Sequence, residues 1–409
     1  PAALTAWGVT VAGILWGIGG SVAVATTAAG LAAAVARWGS VSARTGTAAA
    51  LAIAAVGVGF AAAVWLRVSA VEQHPIVARY GAITAVGVVP SETARVIKGG
   101  RLMFRASLTE FDGTPSSGRV MVFAPATGYA EITPGRPARF RATLGRPARR
   151  DLTVAVLSAT GPLSVGDASA IQRGAQRIRT GFAETARAAL PVDQAAMLPA
   201  LVLGDTSMVS PATTAEFKAA GLTHLTAVSG ANVTIVCGAL LLTAALVGPR
   251  IAVGLAAVGL VGFVIVVQPS ASVLRAAVMG GVTLLAVLTH RRRRAVSALA
   301  GSVLVLMVAA PELAVDAGFA LSVCATAGIV VVAPVWSRRL EARGWPRPLA
   351  AAVSVAAVAQ LVTAPLVAGI SGTFSVVSVA ANLAVAAVIP PITVLGTVAA
   401  GLAAVWPAG

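Results

Sequence analysis

The stretch GLTHLTAVSGANVTIVCGALLLTAAL, Gly221 to Leu246, is an apolar run long enough to cross a bilayer, yet its first third carries His224, Thr226, Ser229 and Asn232. Polar groups inside a membrane are costly, so residues of this kind face protein or water rather than lipid. The rest of the chain has the same character. Of its 409 residues 57% are hydrophobic and only 11% charged, and the mean hydropathy is +0.89. Those values exclude an ordinary soluble globular protein and indicate an integral membrane protein.

The formal net charge is +16, and the positive charge is almost all guanidinium, 28 Arg against 2 Lys. Guanidinium pairs with phosphate bidentately where ammonium does not. Positive-inside placement explains part of this charge. The basic segments RWGSVSART (37–45), HRRRRA (290–295) and SRRLEARGWPRP (337–348) follow apolar runs and are expected on the cytoplasmic side. Counting crossings from them places residues 69–223 outside. Trp38, Trp65, Trp336 and Trp345 fall at span ends, as in an aromatic belt.

Four blocks follow. Residues 1–68 form an N-terminal transmembrane hairpin, its first limb interrupted at GIGG (17–20) and expected to be bent or re-entrant. Residues 69–166 are rich in Pro, Gly and charge and contain no spanning run. Five short alternating segments there read as strands: YGAITAVGVV (80–89), RLMFRASL (101–108), GRVMVFAP (118–125), ARFRATLG (138–145) and LTVAVLSA (152–159). Five such strands fit a small barrel of the OB type. Residues 167–223 begin with ASAIQRGAQRIRTGFAETARAAL (168–190), a basic amphipathic helix of the kind that lies in the membrane interface, with Arg173, Arg177 and Arg179 beside Ile171, Ala175, Ile178, Phe182 and Ala189. Ser210 and Pro211 open a further short helix ending at Gly221. Residues 224–409 carry seven apolar runs, the last broken by Pro390 and Pro391. The fold class is thus a polytopic α-helical membrane protein with an inserted extracytoplasmic OB-like barrel.

The block from Ser69 to Val165 holds 11 Arg and 1 Lys against 6 acids, about +6. Positive-inside does not account for basic residues placed outside. A solvated charged surface is one reading, and an electrostatic funnel for a polyanion is the other, with Arg101, Arg105, Arg139, Arg141, Arg149 and Arg150 as candidate DNA contacts.

Enzyme chemistry finds little support. AVSGA (227–231) has Ala227 where a nucleophile elbow has Gly, and the nearest candidate base, His290, adjoins four arginines. His74, His224, His290, Cys237 and Cys324 have no metal-ligand spacing, and no Walker sequence occurs. No catalytic residue, metal or cofactor is expected. Other polar residues accompany apolar helices. Arg275 either snorkels to the interface or lines an aqueous path, Asp316 caps or precedes its helix, and Gln360, Thr363 and Pro365 read as a polar-lined kink.

Taken together, LVLGDTSMVSPATTAEFKAAGLTHLTAVSGANVTIVCG (201–238), PSASVLRAAVMG (269–280), PELAVDAGFALSVCATAGIVVVAP (311–334) and QLVTAPLVAGISGTFSVVSVAANLAVAAVIPP (360–391) resemble, in order, the motifs of the ComEC-type competence proteins. The resemblance implies uptake of single-stranded DNA through an inner-membrane channel during natural transformation, alongside a DNA receptor and cytoplasmic translocation proteins. The positions that match are Gly204, Asp205, His224, Leu225, Ser229, Gly230, Arg275, Gly318, Phe319, Ser322, Pro365 and Asn382. Asn232 stands where the family commonly has a second His, which favours a polar lining role there over proton or metal chemistry. Asp316 joins the same channel-lining set. The family's metallo-β-lactamase-like domain has no His-x-His-x-Asp-His counterpart here, so the chain is expected either to be a piece of a longer protein or to lack that domain. The barrel also lacks the cysteine pair of some relatives, which leaves its stability to its core. An assembly scaffold that docks a DNA receptor, and a small-molecule or lipid exporter, are the alternatives.

Overall fold

The computed structural model describes residues 1–38, 43–97, 99–129, 131–225, 230–244, 248–268, 271–288, 295–371 and 377–405. The chain divides into two units, Pro1–Arg173 with Leu304–Val315, and Gly174–Val303 with Asp316–Gly409.

The first unit begins with helices α1 (Ala2–Trp16), α2 (Ile18–Trp38) and α3 (Ala43–Glu72), which pack on one another. The break between α1 and α2 falls at Gly17, the first residue of GIGG. Six strands follow: β1 (Ile83–Pro90), β2 (Arg95–Ile97), β3 (Arg101–Phe111), β4 (Thr114–Pro125), β5 (Ala138–Gly145) and β6 (Thr153–Val165). They run in the order β1-β5-β6-β4-β3-β2, and an additional β1–β3 pairing closes the five long strands into a barrel. All pairs are antiparallel except β4–β6. This closed five-strand connectivity is the OB-like barrel expected from the alternating segments.

The alternation that revealed the strands also builds the core. On β3, Leu102, Phe104, Ala106 and Leu108 are buried, while Arg101, Met103, Arg105 and Ser107 face outward. Phe104, Phe140, Leu144 and Leu157 meet Val86, Val88, Val120 and Val122 in one cluster. Burying each large side chain contributes about 1.5–3 kcal/mol, so a core of this extent stabilises the barrel without a cross-link. Tyr129 packs edge-on against Phe140, with centroids 5.7 Å apart, and its hydroxyl donates to Gly161 O at 3.1 Å.

His74 joins α3 to the barrel and supplies a pH-sensitive contact. Its Nδ1 accepts from the Ile76 amide at 3.2 Å and its Nε2 meets Ser116 Oγ at 3.1 Å. The Nδ1 contact requires a neutral ring, and burial lowers the pKa below the usual histidine value. The unfolded chain therefore binds the proton first as pH falls. Acidification from about pH 7.5 to about pH 5 should lower the thermal unfolding temperature of this unit, because stability is lost wherever the unfolded state holds more protons. His74→Asn keeps a capping acceptor and should flatten that dependence. An unchanged slope would clear His74 of the effect.

The first unit is completed from far along the chain by the 3-10 turn Pro311–Val315. Trp7 Nε1 donates to Ala314 O at 2.9 Å, and Arg119 on β4 pairs with Glu312 at 2.7 Å.

The second unit contains α4 (Ala170–Ala189), whose first turn belongs to the first unit, α5 (Val192–Leu203), α6 (Pro211–Ala219), α7 (Gly230–Ala244), α8 (Pro249–Val267) and α9 (Ala271–Leu288), then α10 (Ala295–Ala309), whose last turns belong to the first unit. It continues with α11 (Ala317–Val331), α12 (Ala333–Glu341), α13 (Arg347–Ser371), α14 (Ser378–Ala386) and α15 (Ile389–Val405). Among the described residues of the whole chain, five helices are long and apolar enough to cross a membrane, or six if α14 and α15 form one bent span. The bend falls just before Pro390 and Pro391, which cannot donate to a preceding turn. Ser210 caps α6 by accepting from the Thr213 amide at 3.0 Å, with Pro211 in the first turn. In α13 the helix runs without interruption through Pro365, which is exposed, and Thr363 Oγ1 donates to Ala359 O at 2.7 Å.

Candidate functional site

On the barrel, the six arginines singled out from sequence do not form one cluster. Arg101 and Arg105 lie on β3, and Arg139 and Arg141 on β5, with β1 between the two strands; Arg149 and Arg150 occupy the β5–β6 loop. Several already have partners. Arg105 pairs with Glu92 at 3.8 Å, Arg150 Nη1 donates to Leu15 O at 2.9 Å, and Arg139 reaches Glu110 at 2.6 Å. The Arg139–Glu110 bridge passes over Gly87, which is in register with both residues. A Cβ on Gly87 would come within 2.9 Å of Glu110 Cβ, so only glycine leaves that path open. Exposed pairs of this kind contribute about 0–1 kcal/mol, and a phosphate competes with them readily. Arg101 instead lies over the Phe123 ring, 5.7 Å from its centroid.

In the second unit, polar residues gather at helix ends. An α-helix leaves its last four carbonyls without intrahelical partners. At the end of α5, Gly204 takes the left-handed conformation, φ 70 and ψ 18, which glycine adopts without steric cost. Its amide donates to Ala200 O, and the Asp205 amide donates to Pro199 O. Asn232, buried at the start of α7, donates from Nδ2 to Leu201 O at 2.9 Å. Arg179 covers the Leu203 carbonyl at 3.4 Å, and also reaches Val266 O in the last turn of α8 at 3.1 Å and the Asp205 carboxylate at 3.4 Å. Cationic groups are favoured at helix C-termini, and one guanidinium serves two of them here.

Arg179 belongs to the basic amphipathic helix expected at 168–190. It is 6% exposed and lies on the inward face of α4 with Phe182 and Ala186, whereas Ile171 and Ala189 point outward. The signal was present in the spacing. Positions 175, 178, 179, 182 and 186 share one helical stripe, and an arginine on that stripe must be paired.

Residues from separate motifs meet in this unit. Arg275 on α9 is buried, with Nε 2.9 Å from Ser322 Oγ on α11 and Nη1 3.0 Å from Met279 Sδ; Ser272 Oγ is 3.3 Å from the same Ser322 hydroxyl. His224, in the 3-10 turn Thr223–Leu225, bonds to the Gly221 backbone and to the side chain of Asn382, and Asn382 in turn donates to Ser378 O at 2.8 Å. Asp316 caps α11 by accepting from the amide of the buried Phe319 at 2.9 Å. Gly230 is the first residue of α7, and Ser229 and Thr226 lie outside the described residues. Among the described residues no group of three His, Cys, Asp or Glu is placed to hold a metal ion.

A family model described as "Competence protein" matches residues 201–409, more than half of the chain. The chain belongs to the competence protein family. Within it, the chain is 30% identical over 202 residues to ComE operon protein 3 of Bacillus subtilis (strain 168), a match covering 47% of this chain and 24% of that relative's length. No solved structure matches the chain. The competence match begins at Leu201, so it takes in the end of α5, Asp205 and Asn232. It leaves out Arg179, which holds that helix end from α4.

Proposed function

We propose that this chain forms the conduit by which single-stranded DNA crosses the cytoplasmic membrane during natural transformation, with residues 69–223 on the outer side. The observation that carries this reading is Arg275. It is 5% exposed on the apolar helix α9, and its partners among the described residues, Ser322 and Met279, are neutral. A buried guanidinium without a counter-charge is costly to keep, and a passing phosphate would neutralise it. The barrel's guanidiniums would gather the strand, each held weakly enough to let it move on, as conduction through several sites requires. On this reading a DNA receptor delivers the strand, cytoplasmic proteins draw it in, and these 409 residues move DNA without cleaving it.

Binding should be dominated by phosphate contacts. For the whole chain in lipid nanodiscs, four such contacts give a slope of about −2.8 in log affinity against log salt. Affinity for an oligo-dT strand should then fall about 50-fold between about 50 and about 200 mM salt. Binding that ignores salt, or no binding at low salt, would overturn the conduit reading and favour a scaffold that docks a receptor.

A further inference from the structure

The barrel's outer surface carries an aromatic residue that its core does not use. Phe104, Phe111 and Phe140, the other aromatics on the described strands, turn inward and are buried. Phe123 alternates the other way. On β4 its neighbours Val122 and Ala124 are buried, while Phe123 is half-buried on the outside. It is in register with Met103 on β3 and Ser158 on β6, and Met103 is in register with Arg95 on β2. One row across the sheet therefore presents a cation, a thioether, a ring and a hydroxyl. Arg101 lies over the same ring, and Arg105 follows Met103 by two residues on the same face.

Phosphate binding alone needs no ring. A ring left partly open on the outer face, with a guanidinium over it, has a use if a flat apolar partner joins the stack, and a nucleobase flanked by its phosphates matches both the ring and the guanidiniums. We infer that Phe123 and Arg101 form a stacking platform for an unpaired nucleobase, so that the barrel prefers single strands with exposed bases over a bare phosphate chain. This rests on the conduit reading and assigns the barrel a means of telling an unpaired strand from other polyanions. Because every base has a π-face, the platform should be indifferent to sequence.

The test uses the whole chain in nanodiscs and three fluorescent probes: an oligo-dT strand, an abasic strand of equal length and charge, and a duplex. The wild type should bind oligo-dT about tenfold more tightly than the abasic strand, the effect of stacking one base on an aromatic ring. Phe123→Leu, which keeps apolar bulk without a π-face, should bind both single strands alike, and Phe123→Trp should retain the preference. Equal wild-type affinity for the two single strands would overturn the platform and leave the conduit reading standing. A preference that survives in Phe123→Leu would also overturn it, by placing base recognition elsewhere. Failure to bind any probe would overturn both. Tighter binding of duplex than of oligo-dT would be incompatible with stacking on an unpaired base.

Discussion

Replacing Arg179 with Met should destabilise the second unit by about 3–5 kcal/mol, the range for removing one partner of a buried charge pair. The loss has three parts. Asp205, whose side chain is 19% exposed, keeps its charge without the guanidinium, and the carbonyls of Leu203 and Val266 lose a donor. Each buried group left unsatisfied costs about 1–3 kcal/mol. Asp205→Asn should also be harmful, though less so, because its side chain still accepts from the Ser207 amide. The double variant decides the cause. With both charges gone it should be more stable than the sum of the single losses allows, by about 1 kcal/mol or more. Unfolding of the purified protein in mixed micelles, followed by tryptophan fluorescence, measures all four states. Strict additivity would mean that the two charges do not act on each other.

Arg275 should behave in the opposite way. Its contacts are to neutral groups, so Arg275→Met strands no buried carboxylate among them, and an apolar replacement for a buried charge is often neutral or stabilising. Membrane abundance should therefore be unchanged. Uptake of single-stranded DNA should fall roughly 10- to 100-fold, the equivalent of one charge-assisted hydrogen bond to phosphate. Arg275→Lys keeps the charge but loses the planar fork that could hold Ser322 and a phosphate together, and should fall between the two. Transformation assays with quantitative blotting of the membrane fraction separate the outcomes. Normal uptake in Arg275→Met removes the residue from the path, and a parallel loss of protein makes it structural.

Much of the architecture was legible because it repeats. Period-two alternation located five strands, and only β2, three residues long, was too short to show one. Capping chemistry placed Ser210 and Asp316 at helix starts, where both stand. The site was less legible, because its contacts are made in space. Nothing in the spacing of Arg275 and Ser322, or of His224 and Asn382, announces that they touch. Asn232 shows the difference most clearly. Its polarity was read as lining for a passage, and the partner its Nδ2 finds, the Leu201 carbonyl at the end of another helix, could not be read from the sequence. Arg179 was readable from its stripe, which it shares with Phe182 and Ala186.

The turn Pro311–Val315 has a consequence for biogenesis. Arg119 and Trp7 meet Glu312 and Ala314, so the N-terminal unit is finished by residues made long after its own strands. At about 5–20 residues per second, the roughly 150 residues between the end of β6 and this turn take on the order of 10–30 s to synthesise. During that interval the barrel has all of its strands and none of this clasp. A nascent chain stalled before residue 311 would carry a unit whose last contacts have yet to be translated.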